Sequence, residues 1–311
     1  MKKLIIYTVV LVSIPFFIVI IFNKDKKDEI KEIKLKYMSN INIRVKRVNK
    51  DIIENVSLEN YIEGVVAGEM PALFEIEALK AQAVASRSYA LNKMIENVDN
   101  EYDVVDTTMN QVYLDEEQLK NKWSENYLEY INRIRQAINE TSMEYLEYDN
   151  SPINAMFFST SNGYTEDAQT VFKEDVPYLK SVDSFWDEQV SQSFIYETKI
   201  KLVEFYKMLN LNYNNNLNIK ILEKSKSNRI TKLKINNTEF TGKEIYQKLK
   251  LRSTDFTISK IDDEVIITTK GYGHGVGMSQ YGAQGMAVNG YSYKDILSHY
   301  YTNTHLKKIN D

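Results

Sequence analysis

The chain has 311 residues, 43% of them hydrophobic, which is enough to bury the core of one large domain or two ordinary ones. A formal charge of −4 argues against a nucleic-acid binder, which calls for a basic excess. With no cysteine, disulfides, thiolate zinc sites and a cysteine nucleophile are excluded together.

The chain opens with two lysines and an apolar run from Leu4 to Phe22. About nineteen helical residues span roughly 28 Å, close to the hydrocarbon thickness of a bilayer. The run ends in Phe22-Asn23-Lys24 without a small-x-small cleavage site, so an uncleaved transmembrane helix is predicted over 1–23. Lys2 and Lys3 face Lys24, Lys26 and Lys27 across it, and this balance leaves the orientation open. A soluble body behind a short anchor is expected outside the cytoplasm. Residues 24–35 are charged and read as a stalk.

Alternation of Ile41, Ile43, Val45 and then Val48 with polar residues predicts a strand or hairpin. Leu58, Tyr61 or Ile62, Val65 and Val66, and Met70 recur at helical spacing, with Ser57 able to cap the start and Pro71 ending the helix. A long second helix carries Ile76, Leu79, Ala83, Ala90 or Leu91, and Met94 on its buried stripe, and its alanines allow close approach of a helix or a sheet. "DVVDTTMNQVYLD" contributes a short extended segment, and "NKWSENYLEYINRIRQAINETSMEYLEY" reads as a third helix. "INAMFFSTSNGYTED" reads as strand, turn at Asn162-Gly163, and return. From 191 to 269 the texture changes, with a helix near Lys201–Leu209, strands "RITKLKIN" and "DEVIITTKG", and a helix between them from Gly242. The Gly-rich "GYGHGVGMSQYGAQGMA" and a final helix from about Ser292 close the chain. The expected fold class is α+β: a mixed helical and sheet core over 36–190 and 270–311, with a smaller α+β subdomain inserted at 191–269.

Three stretches carry candidate chemistry. Within "GVVAGEMPALF", Glu69 sits among apolar neighbours at a helix C-terminus, where the dipole disfavours an anion. Both influences favour the protonated acid, which is what protonation of a glycosidic leaving oxygen requires. The same spacing also fits a carboxylate facing water from the helix end. Ser159, Thr160 and Ser161 precede a tight turn; such hydroxyls suit sugar recognition, and they equally suit turn formation. The Gly-rich stretch lacks the Gly-Lys-Ser/Thr of a phosphate loop and has Val276 where G-x-G-x-x-G needs glycine. It would project His274, Gln280 and Tyr281 from a rigid loop. His274, His299 and His305 have no zinc-protease spacing, so no metal is expected.

Taken together, "YIEGVVAGEMPALFEIEALKAQAVASRSYAL", "DTTMNQVY", "FFSTSNGYTEDAQTVF" and "GYGHGVGMSQYGAQGMA" resemble, in order, the stage II sporulation protein D family. The resemblance spans roughly 40–305. It implies a peptidoglycan lytic transglycosylase of forespore engulfment, acting in the space between mother-cell and forespore membranes. Such an enzyme cleaves the β-1,4 bond between N-acetylmuramic acid and N-acetylglucosamine in strands stripped of stem peptides, and leaves a 1,6-anhydro end. The family's catalytic glutamate falls on Glu69. Arg87, Gln111, Tyr113, Ser159, Thr160, Ser161, His274, Gln280 and Tyr281 are the candidates for holding the sugar. Implied partners are a sporulation amidase (stage II sporulation protein P) and a membrane scaffold (stage II sporulation protein M).

The chain departs from that pattern in two places. Some relatives carry a His/Cys zinc cluster where this chain has Val105, Met109 and Asn110, and a histidine common before the Ser-Thr-Ser stretch is Phe158 here. No cofactor is expected. Two other readings compete: a glycoside hydrolase with Asp106, Glu166 or Asp167 as second carboxylate, and a glycan-binding scaffold without turnover.

Overall fold

The structure, a computed structural model, describes residues 31–36 and 40–309. The expected membrane anchor and the first part of the stalk lie outside the described residues. Among the described residues no helix is long and apolar enough to cross a membrane. The end of the stalk does not stand free. The Ile33 and Lys36 amides donate to the side chains of Asn132 and Asn139, and the carbonyls of Lys31 and Lys34 accept from the same two side chains.

The predicted hairpin is present as β1 (Asn42–Arg47) and β2 (Ile52–Ser57), with Val45 opposite Glu54. A short strand β3 (Val104–Val105) adds in parallel to β1, so the sheet runs β2-β1-β3. Helix α1 (Leu58–Glu69) follows directly, then α2 (Ile76–Glu96). Ser57 occupies the cap position of α1, but its hydroxyl makes no capping bond. In α2, Ala78, Ala81, Ala83, Ala85 and Ala90 are buried, and these small side chains let α1 and later elements close around it. Ile62, Val65, Leu79 and Val84 are fully buried in this core, each worth about 1.5–3 kcal/mol relative to exposure.

The expected single third helix is three elements. Helix α3 (Glu116–Trp123) has a capping box between Asp115 and Gln118; it ends at Ser124, whose φ of 48° no helix accepts. After a 3-10 turn, α4 (Tyr127–Glu140) resumes with Ile131, Ile134 and Ile138 inward. The last residues of the predicted helix instead form strand β4 (Glu144–Tyr148). Strand β4 pairs with β5 (Ser151–Pro152) and with the last strand of the described chain, which brings the C-terminal region back to the middle of the sequence.

The expected strand-turn-return around Asn162-Gly163 is also different. Strand β6 (Phe157–Phe158) does not pair with its own return. The Gly-rich stretch pairs with this region instead, through bridges Thr160–Tyr272 and Glu166–Val276. Two short helices, α5 (Ala168–Phe172) and α6 (Trp186–Val190), complete this half.

From Ile195 to Lys270 the chain builds two antiparallel three-stranded sheets. One joins β7 (Ile195–Lys201), β12 (Glu264–Lys270) and β11 (Phe256–Ile261). The other joins β8 (Ile219–Lys224), β9 (Ile230–Ile235) and β10 (Thr238–Thr241). Helices α7 (Leu202–Met208) and α8 (Gly242–Lys248) lie close to the two predicted positions. Phe205, Leu233, Ile245, Val265 and Ile267 form a hydrophobic cluster separate from the main core. This cluster is tied to the core by polar bonds: the Asn162 amide donates to the Ser227 carbonyl (2.7 Å) and to Asp255 (2.8 Å), and the Ser227 hydroxyl donates to Glu166 (2.6 Å).

The described chain ends with β13 (Met278–Ser279), α9 (Gln280–Val288), α10 (Tyr293–Tyr300) and β14 (His305–Lys308). Strand β13 pairs in parallel with β6, and β14 with β4. The result is a mixed α and β architecture in which α2 is packed by α1, α4, α9 and α10.

Candidate active site

Glu69 is the last residue of α1, and its position depends on two glycines four residues apart. Residues at i and i+4 share one helix face. A Cβ on Gly64 would lie 2.4 Å from the Leu114 carbonyl oxygen, and one on Gly68 would lie 2.5 Å from that of Val112. The bare stripe therefore lets the segment 112–114 press against the helix. Glycine inside a helix costs about 0.5–1 kcal/mol relative to alanine, so this approach comes at the expense of local stability. Its product is a hydrogen bond: the Val112 N–H donates to Glu69 Oε1 at 2.6 Å.

Glu69 is partly buried, and the loss of water raises its carboxyl pKa above the ordinary value. The Val112 N–H and the Lys122 ammonium oppose that rise without cancelling it. The direction agrees with the expectation from its apolar neighbours. Two of the carbonyls that a helix end leaves unpaired are answered from elsewhere in the chain. The Gln280 amide donates to the Glu69 carbonyl at 3.1 Å, and Lys122 donates to that of Ala67 at 3.0 Å.

Gln280 arrives because the Gly-rich segment and the Ser-Thr-Ser segment are laid side by side. Ser279 pairs with Phe158 in the β13–β6 register, and the Tyr281 N–H donates to the Ser159 carbonyl at 3.0 Å. Tyr281 then sets its ring edge-on to Phe74 at 5.1 Å. Glu69, Gln280, Tyr281 and Ser159, drawn from three distant stretches, are thus brought into one neighbourhood.

The other candidates fall elsewhere. Arg87 is fully buried and does not line a groove: Nε and Nη2 each meet a Glu59 oxygen at 2.8 Å, while Nη1 donates to the Glu144 carbonyl. Gln111 is buried too, accepting from the Tyr61 hydroxyl at 3.1 Å. Tyr113 stacks on Tyr61 at 5.3 Å and has the Arg47 guanidinium over its ring, which makes it a core residue. Of the three hydroxyl residues, Thr160 and Ser161 are buried. The Ser161 hydroxyl donates to the Ser184 carbonyl and its N–H to Asp187, so it holds the fold together. His274 accepts the Val276 N–H on Nδ1 and lies against the Phe158 and Phe172 rings. Desolvation and the nearby Arg229 guanidinium pull its pKa down to about 4, so it is neutral at physiological pH.

Three participants escaped the sequence reading. Gln82 of α2 meets the Gln280 amide at 3.4 Å. Asp187 is buried, with burial raising its pKa; it accepts from Ser161, Ser184 and Ser279 and so ties the two polar segments to each other. Lys122 had no local signal at all. A glutamine on a helix of alanines and an aspartate after Phe-Trp give equally little notice. Among the described residues no group of three His, Asp or Glu is placed to hold a metal ion.

Comparison with known proteins shows the family. A family model described as stage II sporulation protein matches residues 46–148, and a domain of unknown function matches 117–277. Stage II sporulation protein D of Bacillus amyloliquefaciens is 40% identical over 268 residues, covering 85% of this chain and 78% of that protein. The protein of the same name from Bacillus subtilis (strain 168) is 38% identical over 275 residues, covering 87% and 80%. A protein of Bacillus subtilis (strain 168) named amidase enhancer is 28% identical, covering 79% of this chain and 40% of its own length. The chain belongs to the stage II sporulation protein D family, a family of sporulation.

Proposed function

We propose that the protein is a membrane-anchored lytic transglycosylase of forespore engulfment, cutting peptide-stripped peptidoglycan strands between N-acetylmuramic acid and N-acetylglucosamine. The observation that carries this reading is a partly buried carboxyl whose pKa desolvation raises, held by the Val112 N–H where the end of α1 meets the Gly-rich segment. Glu69 donates its proton to the glycosidic oxygen, the bond to the anomeric carbon breaks, and an oxocarbenium-like centre develops. The resulting carboxylate takes the proton of the C6 hydroxyl, and that oxygen closes on the anomeric carbon as the 1,6-anhydro ring. The proton that left Glu69 is restored, and no second carboxylate is used. The Val112 N–H holds the carboxylate in place through both transfers. Tyr281 and Ser159 are the side chains best placed to hold the sugar, whereas Gln280 is buried with its amide on the Glu69 carbonyl and Gln82, and so supports the end of α1.

Nothing at this site favours the two-carboxylate alternative. Asp106 is bound by Arg47 at 3.0 Å and by the Val48 N–H. Glu166 is buried on Ser227, and Asp167 accepts the Ser181 N–H. The anchor over 1–23, an extracytoplasmic body, and partnership with a sporulation amidase and a membrane scaffold belong to the same proposal. The name of the amidase enhancer relative supports the amidase part.

The test is product chemistry. The purified full chain is incubated with peptide-free glycan beside Glu69→Gln, and the fragments are read by mass spectrometry. Anhydro ends from the parent alone are the expected result. Reducing ends would turn the assignment to a hydrolase, and binding without cleavage would turn it to a scaffold.

A further inference from the structure

Helix α1 ends in an electrically awkward way. Its last carbonyls present negative potential, Glu69 adds a carboxyl there, and its own last turn holds no basic residue. A cation is supplied across space instead. Lys122, near the end of α3, lays its ammonium on the Ala67 carbonyl oxygen at 3.0 Å, two residues before Glu69. One of its three N–H groups is used in that bond.

The groups around the Glu69 carboxyl come from every neighbouring element. Tyr61 of α1 and Tyr89 of α2 are phenols whose pKa values burial pushes up, so they are neutral. The segment before α3 contributes the Val112 N–H, and α9 contributes the neutral Gln280 amide. Lys122 is the charged member of this set.

We propose that Lys122 is a positioning residue of this site: from α3 it caps the final turn of α1 through the Ala67 carbonyl and sets its charge near the Glu69 carboxyl without a direct ion pair, thereby tuning that acid from across space. The inference rests on Glu69 being the proton donor. Without Lys122, desolvation acts on the carboxyl with only the Val112 N–H against it, and the acid becomes weaker. With it, the carboxylate left behind by proton transfer is stabilised by a nearby positive charge held on the Ala67 carbonyl. Lys122 is exposed as a residue, while partial desolvation at the helix end lowers the pKa of its ammonium against the opposing pull of Glu69; the part of its field that passes through solvent is open to screening by salt.

The experiment is a titration of Glu69 in the full chain, followed by carbon NMR of the labelled carboxyl, with the pH profile of glycan cleavage beside it. In Lys122→Met the Glu69 midpoint moves to higher pH and the alkaline limb of the profile follows. In Lys122→Arg, which keeps the charge, both stay near the parent. If Lys122→Met proves unstable, the parent carries the test alone: rising sodium chloride moves its Glu69 midpoint upward. A midpoint indifferent to Lys122→Met overturns the proposal whatever salt does, and where that variant does not fold, a parent midpoint indifferent to salt overturns it. Because titration needs no turnover, its outcome is separate from that of the product analysis. A moving midpoint with no anhydro product leaves the Lys122 coupling standing and removes the transglycosylase reading.

Discussion

The Glu69 carboxylate accepts the Val112 backbone N–H at 2.6 Å, although 43 residues separate the two in sequence. With the Leu114 N–H on the Gly64 carbonyl at 3.3 Å, this bond joins α1 to the segment that crosses it, and it fixes which oxygen of the acid is engaged. A glutamine side chain at this position keeps an acceptor for the Val112 N–H but cannot hold or release a proton. Glu69→Gln is therefore expected to fold normally and to lose cleavage by roughly 10²–10⁴-fold, the usual worth of a general acid. Rates on peptide-free glycan measure it, and a variant cleaving as fast as the parent would remove Glu69 from the chemistry.

The same substitution has a pH signature. Burial raises the folded pKa of Glu69 above its ordinary value of 4.5. As pH rises past 4.5 the unfolded chain ionises first while the folded one still holds its proton, so this group lowers stability with rising pH. Glutamine does not titrate. Glu69→Gln is expected to be more stable than the parent at pH 7, with the gap closing below about pH 4.5. Urea unfolding at the two pH values measures it, and an equal gap at both would contradict the burial of the acid.

Gly68 makes the Val112 approach possible, and a methyl there would meet the Val112 carbonyl oxygen at 2.5 Å. Gly68→Ala gains helix propensity of about 1 kcal/mol but suffers overpacking of about 1–3 kcal/mol. The loop must retreat, and the N–H retreats with it. A displacement near 1 Å at a reacting group can cost roughly 10²-fold in rate. The expected result is a small change in melting temperature with a large loss of cleavage. A variant as active as the parent would show that the Val112 bond is dispensable.

Arg87 illustrates the opposite case, a polar residue that stability needs. Its guanidinium and the Glu59 carboxylate are both buried and form a two-point ion pair. Removing one partner strands the other charge, at a cost of about 3–5 kcal/mol. Arg87→Met should unfold at markedly lower denaturant concentration, whereas Arg87→Met with Glu59→Leu should recover much of the loss. If the double variant were no better than the single one, the pair would not be the reason for the arginine.

These contrasts mark what is readable in the residue order. Helix α2 is legible because the alanine stripe and apolar spacing are local. Glu69 stands out because a carboxylate among valine, glycine and methionine is out of place locally as well. Arg87 misleads for the converse reason: its partner Glu59 lies on another helix, so the sequence presents only a polar residue near candidate chemistry. The switch to strand at Glu144 depends on a remote partner, β14, which pairs with β4. The return strand expected after Gly163 does not form because the Gly-rich segment, more than a hundred residues later, takes that pairing. Lys122 belongs to the same class, since a lysine on an exposed helix acquires meaning only when the end of α1 is seen beside it.

His274 offers a last test, of whether the Gly-rich segment holds its histidine as scaffold. Its folded pKa is about 4 against an ordinary 6.5, because it has lost water and lies near Arg229. Between those values the unfolded chain takes up the proton that the folded one refuses. This group's contribution is therefore complete above pH 6.5 and falls as pH drops toward 4, by on the order of 3 kcal/mol. His274→Asn keeps an acceptor near the Val276 N–H and cannot be protonated in this range. Unfolding free energy measured from about pH 7 to about pH 4 should fall less steeply in the variant than in the parent. Equal slopes would mean that the imidazole is free to charge in the folded protein, and a histidine able to charge there would regain a claim on the substrate.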